Sequence, residues 1–267
     1  MAWAILGAAG LALLIWFFWA QNNLLVVARY EVASQRIAEP LRIVQLSDLH
    51  GKRFGRGNRR LLKRVRALRP GLIAITGDII DRFRPGLSQV YALVEQLLLL
   101  APVVYCSGNH EYGRQDREEI FRELSRRGVR VLRHQIAELE FGQNHVAVLG
   151  IDEIGYGYQS PRWLESLERR PEFRLLLAHF PHYFEPSYSK YGIDLTLSGH
   201  AHGGQFWFPG GGVYAPGQGL FPKYCKGMHK KGNTIMIVSR GLGNSGFPLR
   251  LLNFPQIVAV ELLPEEQ

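Results

Sequence analysis

Five short peptides constrain this chain most, because each follows an apolar run of strand length and each carries residues that bind metals. They are Ser47-Asp48-Leu49-His50, Gly77-Asp78-Ile79-Ile80-Asp81, Gly108-Asn109-His110-Glu111, Ala178-His179 and Gly199-His200-Ala201-His202-Gly203-Gly204. Carboxylate and amide oxygens mixed with neutral imidazoles suit borderline divalent cations. Asp48, His50, Asp78, Asn109, His179, His200 and His202 make seven candidate ligands. That is too many for one ion and suits two ions sharing a bridge, a pattern that argues for hydrolysis of phosphate esters.

Singly, each peptide has an ordinary reading. An Asp and a His after a strand serve as caps, and Gly-Asp is common turn chemistry. His200-x-His202 flanked by glycines stands apart, since bare backbone admits close approach of a ligand. Their weight comes from occurring together, in order, each at a strand end.

Between the peptides, strand-length apolar runs alternate with segments of helical period. Strands are expected at 41–46, 72–76, 103–106, 129–132, 137–141, 145–151, 173–178, 194–197, 234–238 and 257–262, and helices at 58–68, 88–100, 116–127 and 162–168. This order predicts an α/β fold, a layered sandwich of two mixed β-sheets flanked by helices. In such folds, sites collect beyond the carboxyl ends of strands. With 267 residues, 46% of them apolar, the chain can fill one large domain.

The N-terminus reads differently. Residues 2–20 hold no charge and include Trp3, Trp16 and Trp19. As a helix they span about 28 Å, close to the hydrocarbon thickness, with Trp near both ends as in an aromatic belt. No Lys or Arg precedes Arg29 and Phe18-Trp19-Ala20 is a poor cleavage site, so a retained single-pass anchor fits better than a signal peptide. The expected organisation is an anchor at 1–20, a connector at 21–40 and a catalytic domain at 41–267. Arg29, Arg36 and Arg42 follow the span, which places the catalytic domain on the cytoplasmic side of the cell membrane. Cys106 and Cys225 form no CxxC pair, and Cys106 is expected to be buried.

Taken as a set, the peptides resemble the calcineurin-like metallophosphoesterases, whose motifs run D-x-H, G-D-x-x-D, G-N-H-E, a lone His and G-H-x-H. The resemblance covers roughly residues 41–263, and Ser239-Arg240-Gly241-Leu242-Gly243 with Pro248 and Arg250 looks like the bacterial membrane-anchored branch. It implies two divalent metal ions (Mn, Fe, Zn or Mg) and hydrolysis by a metal-bridging hydroxide. By motif, Asp48, His50 and His202 would hold one metal, Asn109, His179 and His200 the other, and Asp78 would bridge them. His110 would be the catalytic residue that protonates the leaving oxygen or steadies the developing charge. Asp81 and Glu111 would orient the imidazoles. Where the family has Asn-Pro-Asp after the lone His, this chain has Phe180-Pro181-His182, and His182 is expected to face solvent.

Two features bear on the substrate. The formal charge is +9, and Lys52, Arg53, Arg56, Arg59, Arg60, Lys63, Arg64, Arg66 and Arg69 form a run without one acid. That run reads as a solvated helix face or as a basic rim for phosphates or anionic headgroups. Residues 206–224 set Trp207, Phe208, Tyr214, Phe221 and Tyr224 among glycines and prolines, a packed loop or an apolar lip for acyl chains. No nucleic-acid module is visible. The expected substrate is a phosphodiester, pyrophosphate or phosphomonoester, either a small molecule or lipid-linked. Acylated UDP-glucosamine of lipid A synthesis is one specific alternative, and a non-catalytic binding module the contrasting class.

Overall fold

Strand β2 (Leu41–Leu46) shows how the layers arise. Ile43 faces one core and Val44 another, because successive residues of a strand point to opposite faces. Strands buried on both faces read as unbroken apolar runs. The same alternation holds in β3 (Leu72–Thr76), where Leu72 and Ala74 oppose Ile73 and Ile75. The computed structural model describes residues 1–83, 86–152, 160–244 and 246–265.

Helix α1 (Ala2–Asn23) precedes β1 (Val26–Ser34) and β2. After β2 come α2 (Arg59–Leu68), β3, α3 (Leu87–Leu98), β4 (Val103–Cys106), the single turn α4 (Asn109–Tyr112), α5 (Arg117–Arg126) and β5 (Arg130–Val131). The second half runs β6 (Gln135–Phe141), β7 (Asn144–Gly150), α6 (Ser160–Glu168), β8 (Phe173–Leu177) and β9 (Leu195–Ser198). It continues with short hairpin strands β10 (Trp207–Phe208), β11 (Gly211–Gly212), β12 (Tyr214–Ala215) and β13 (Gly219–Leu220), then β14 (Gly227–Lys231), β15 (Thr234–Val238) and β16 (Gln256–Pro264).

One six-stranded sheet has the order β1-β16-β2-β3-β4-β5 and the other β14-β15-β9-β8-β7-β6. Each is mixed: β2, β3, β4 and β5 run parallel, as do β7, β8, β9 and β15, while β2/β16, β6/β7 and β14/β15 are antiparallel. The sheets meet through Ile43, Leu72, Val104 and Val258 on one side and Val148, Leu175, Leu195 and Ile237 on the other. Helices α2, α3 and α5 cover the outer face of the first sheet with Leu61, Val65, Val94, Leu97, Ile120 and Leu124. Leu164 and Leu167 of α6 cover the second. The predicted sandwich of two mixed sheets between helices is what the chain forms. Cys106 is buried, as is Cys225.

Residues 21–40 are not simply a connector. They include β1, which pairs in parallel with the whole of β16 from Val26–Gln256 to Ser34–Pro264. Its charged residues Arg29 and Glu31 are tolerated because β1 is an edge strand. The apolar helix continues to Asn23, and the window of it long and apolar enough to cross a membrane is entirely unburied. Only Ala20, Gln21 and Asn22 at its end are buried.

Candidate metal centre

The parallel strands bring their carboxyl ends to one place. Asp48 and His50 follow β2, Asp78 follows β3, Asn109 and His110 follow β4, His179 follows β8, and His200 and His202 follow β9. The backbone turns sharply at these positions. Asp48, His50, Asp78, His200 and His202 all have positive φ, from 46° to 67°, a conformation that costs energy in residues with a Cβ and gathers at functional sites. Two glycines make room for the convergence. A Cβ on Gly77, φ 80°, would meet His179 Nδ1 at 2.6 Å, and one on Gly108 would meet Asp78 Oδ1 at 2.2 Å.

All seven candidate ligand residues come together in two clusters, with Asp78 in the second and beside His50 of the first. In the first, Asp48, His50 and His202 are buried with ligand atoms within 4.8 Å of one another. His50 Nε2 lies 3.2 Å from His202 Nε2, and His202 Nε2 lies 3.6 Å from Asp48 Oδ1. In the second, His179 Nε2 lies 3.2 Å from His200 Nδ1, 3.2 Å from Asn109 Oδ1 and 3.3 Å from Asp78 Oδ2. The same Asp78 oxygen lies 3.9 Å from His50 Nε2. The other, Oδ1, accepts the His110 backbone N–H at 2.8 Å. One carboxylate oxygen is therefore fixed by the protein and the other faces both clusters.

These residues fit divalent cations. His179 Nδ1 donates to the Thr76 carbonyl at 2.8 Å, which in the neutral ring leaves Nε2 as a lone pair directed at Asn109 Oδ1, Asp78 Oδ2 and a ring nitrogen of His200. Asp48 Oδ2 and His50 Nδ1 are buried with no hydrogen-bond partner among the described residues. Acceptors crowded on acceptors are costly unless a cation lies among them. Burial pushes His50 down to about 4, against the opposing pull of Asp78, and pushes His200 and His202 well below the usual histidine range. Burial thus favours the neutral form of His50, His200 and His202, the form that binds metal. Burial raises Asp48 to about 6, opposed by His179. Burial alone would raise Asp78 too, but His179, which when protonated donates to it, with His50 and His110, holds it well below the usual carboxylate range.

His110 lies over the edge of His50, ring centres 4.4 Å apart. Its Nδ1 accepts the Arg82 N–H at 3.1 Å, so the neutral ring carries its proton on Nε2. A ring nitrogen of His110 is within 4.8 Å of ligand atoms of His50 and Asp78.

The expected roles of the two acids divide. Asp81 does stand by an imidazole, its Oδ2 3.9 Å from His50 Nδ1. Glu111 does not orient a ring; its two oxygens accept the backbone N–H groups of Asp78, Ile80 and Gly108 at 2.8, 2.9 and 2.9 Å. Burial, then the nearby Asp78 charge, raise Glu111 to about 7 despite those three donors. His182 is only partly open to solvent. It is half-buried against Gly217, 6.1 Å from His200 between ring centres, and burial lowers its pKa.

Two residues to which the sequence assigned no role in the site, Arg250 of the branch pattern and Asn253, brace this centre. Arg250 is fully buried with Nη2 3.4 Å from His202 Nδ1, and Asn253 Nδ2 donates to the His202 and Gln205 carbonyls at 2.6 and 3.2 Å. An arginine among Pro248, Leu249, Leu251 and Leu252 was the available signal, since a charge in an apolar stretch must find partners.

Comparison with known proteins agrees with this geometry. The description "Calcineurin-like phosphoesterase" fits residues 41–204. The uncharacterized metallophosphoesterase YkuE of Bacillus subtilis (strain 168) is 31% identical over 231 residues, 83% of this chain and 78% of that protein. A transmembrane protein with metallophosphoesterase domain from Danio rerio is 28% identical over 256 residues, 88% of this chain and 57% of that protein. Among solved structures, a 5'-nucleotidase precursor from Thermus thermophilus superposes with a TM-score of 0.53 at 15% identity, over 84% of this chain and 54% of that one. That last likeness concerns the fold alone.

Proposed function

The chain belongs to the calcineurin-like phosphoesterase family, and from that premise we propose that it hydrolyses a phosphate ester or pyrophosphate at a centre of two divalent cations. The observation that carries the reading is Asp78 Oδ2, which lies 3.3 Å from His179 Nε2 and 3.9 Å from His50 Nε2 and so stands between the two clusters. Asp48, His50 and His202 would hold one cation, Asn109, His179 and His200 the other, and Asp78 would bridge. When bound, the pair supplies Lewis-acid activation of the phosphoryl group and of the attacking water. Mixed Asp, Asn and His ligands admit Mn, Fe, Zn or Mg.

The chain's own groups do the rest. Neutral imidazoles offer their lone pairs without a proton to displace. His110, beside His50 and Asp78, would pass a proton to a leaving oxygen as the imidazolium, and as the neutral ring would donate its Nε2–H to the developing charge. Glu111, Arg250 and Asn253 hold the strand-end turns in shape, so the ligands are positioned in advance.

Helix α1 is read as a single-pass anchor, and its attachment near the cluster favours a lipid-linked phosphate over a free small molecule. Acylated UDP-glucosamine remains the specific version, requiring a cytoplasmic active site, which Arg29, Arg36 and Arg42 after the span favour. A non-catalytic module is disfavoured because no ligand of the set is missing. The test is turnover by the purified full chain of a generic phosphodiester and of an acylated UDP-sugar, with added Mn, Mg or Zn. Hydrolysis of either supports the enzyme reading; no turnover with any metal overturns it. A C-terminal reporter active on one side of the membrane checks the cytoplasmic placement.

A further inference from the structure

The last turn of α1 is bonded into the loop that braces the metal centre. Asn22 Oδ1 accepts the Arg250 backbone N–H at 3.1 Å and the Asn244 side-chain amide at 2.9 Å. Lys52 Nζ donates to the Asn22 carbonyl, and the Arg60 guanidinium lies 5.7 Å from the centre of the Trp19 ring. The apolar helix thus leaves the domain at one defined point, with Arg250 beneath it and His202 next to Arg250.

Around that point the surface is apolar and basic. Leu24, Phe247, Leu249 and Leu252 are 42%, 52%, 39% and 54% exposed. The segment after His202 extends the patch: Gln205 Nε2 donates to the Phe247 and Leu249 carbonyls at 3.0 and 2.6 Å, and the Phe206 and Phe247 rings are 5.3 Å apart. Arg56, Arg59 and Arg60 at the start of α2 are exposed on the flank where Trp19 packs.

We propose that this face, centred on Phe247, Leu249 and Leu252 beside the end of α1, docks on an anionic phospholipid bilayer and seats the His202 side of the metal centre at the membrane surface. The inference rests on reading α1 as a membrane span. A span that ends near Asn23 puts Asn22 at the interface, and residues within hydrogen-bond reach of Asn22 cannot be far from that plane. Apolar side chains there enter the boundary between headgroups and acyl chains, while neighbouring arginines meet lipid phosphates. An amphiphilic phosphate could then reach the cluster without leaving the bilayer.

Site-directed nitroxides on the full chain in nanodiscs of phosphatidylglycerol and phosphatidylcholine test this. Labels go at Phe247→Cys and Leu252→Cys, at Leu11→Cys within α1, and at Leu99→Cys, which is exposed between α3 and β4 at the opposite end of the strands. Cys106 and Cys225 are buried, and an unchanged thermal unfolding profile verifies that each labelled chain is folded. The expected result is loss of collision with an aqueous nickel chelate at 247 and 252, as at 11, with full collision at 99. Labels at 247 and 252 as accessible as 99, with 11 shielded, would overturn the docking face and leave the span intact. Access at 11 as well would overturn both. Shielding at 247 and 252 that persists in detergent without a bilayer would point to a second copy or a protein partner and also overturn the proposal. None of these outcomes depends on turnover, so the hydrolase reading is tested separately.

Discussion

Glu111 fixes Asp78 through the backbone: its Oε2 accepts the Asp78 N–H at 2.8 Å, and Oε1 accepts the Ile80 N–H two residues on, at 2.9 Å. The carboxylate that faces both clusters is thereby aimed by a buried acid that is not itself one of the seven candidate ligands.

Replacing Glu111 with Gln turns one of three accepting contacts into a donor facing a donor. Leaving a buried polar group unmatched costs about 1–3 kcal/mol. Glu111→Gln should lower the urea midpoint by that order and weaken metal uptake while both clusters keep all their ligands. A variant with unchanged stability and metal titration would contradict the bracing role.

His110 is assigned the proton for the leaving oxygen, a contribution worth about 10²–10⁴ in rate. His110→Asn should therefore slow esters of poorly acidic alcohols by that order and nitrophenyl esters far less, with metal content unchanged. An equal loss on both substrate types would point instead to charge stabilisation or metal binding.

His50 gives the metal-free protein a pH dependence with a definite sign. Its folded pKa is about 4, lowered from 6.5 mainly by burial, so between those values the unfolded chain binds a proton that the folded chain does not. Stability from this group therefore falls as pH drops from 6.5 to 4, by about 3 kcal/mol at most. Asp48 and Glu111, raised to about 6 and 7, act in the opposite direction, so the His50 share is read by difference. Denaturant midpoints of apo His50→Gln should decline less over that window than those of the unaltered chain. Parallel profiles would contradict the assignment.

The end of α1 is part of the folded domain and not merely a tether. Asn22→Ala removes an acceptor from the Arg250 N–H and the Asn244 amide, and should destabilise the domain by about 1–2 kcal/mol in detergent, read from the urea midpoint. No change would mean that the contact carries no stability.

Most of the fold, and the meeting of the seven candidate ligand residues at one place, were legible for a physical reason. Strands buried on both faces, such as β3 with Leu72, Ile73, Ala74 and Ile75, leave plain apolar runs, and the chemistry sits in the turn that follows each. What sequence missed depends on distance along the chain or on an exposed face. Strand β1 alternates charges with apolar residues because it lies at a sheet edge. Asn22 and Arg250 are 228 residues apart, and no local pattern couples them. Glu111 was read by analogy with acids that orient imidazoles, yet its place three residues after Gly108, bonding back to the Gly108 N–H at 2.9 Å, is the signature of a helix start.

The central claim is that one carboxylate serves two cations, and metal content by inductively coupled plasma mass spectrometry tests it most directly. The unaltered chain should carry two equivalents of divalent metal, Asp48→Ala should keep one, and Asp78→Ala should lose both along with phosphodiester turnover. An Asp78→Ala protein that is folded, retains a full complement of metal and turns over substrate normally would contradict the account.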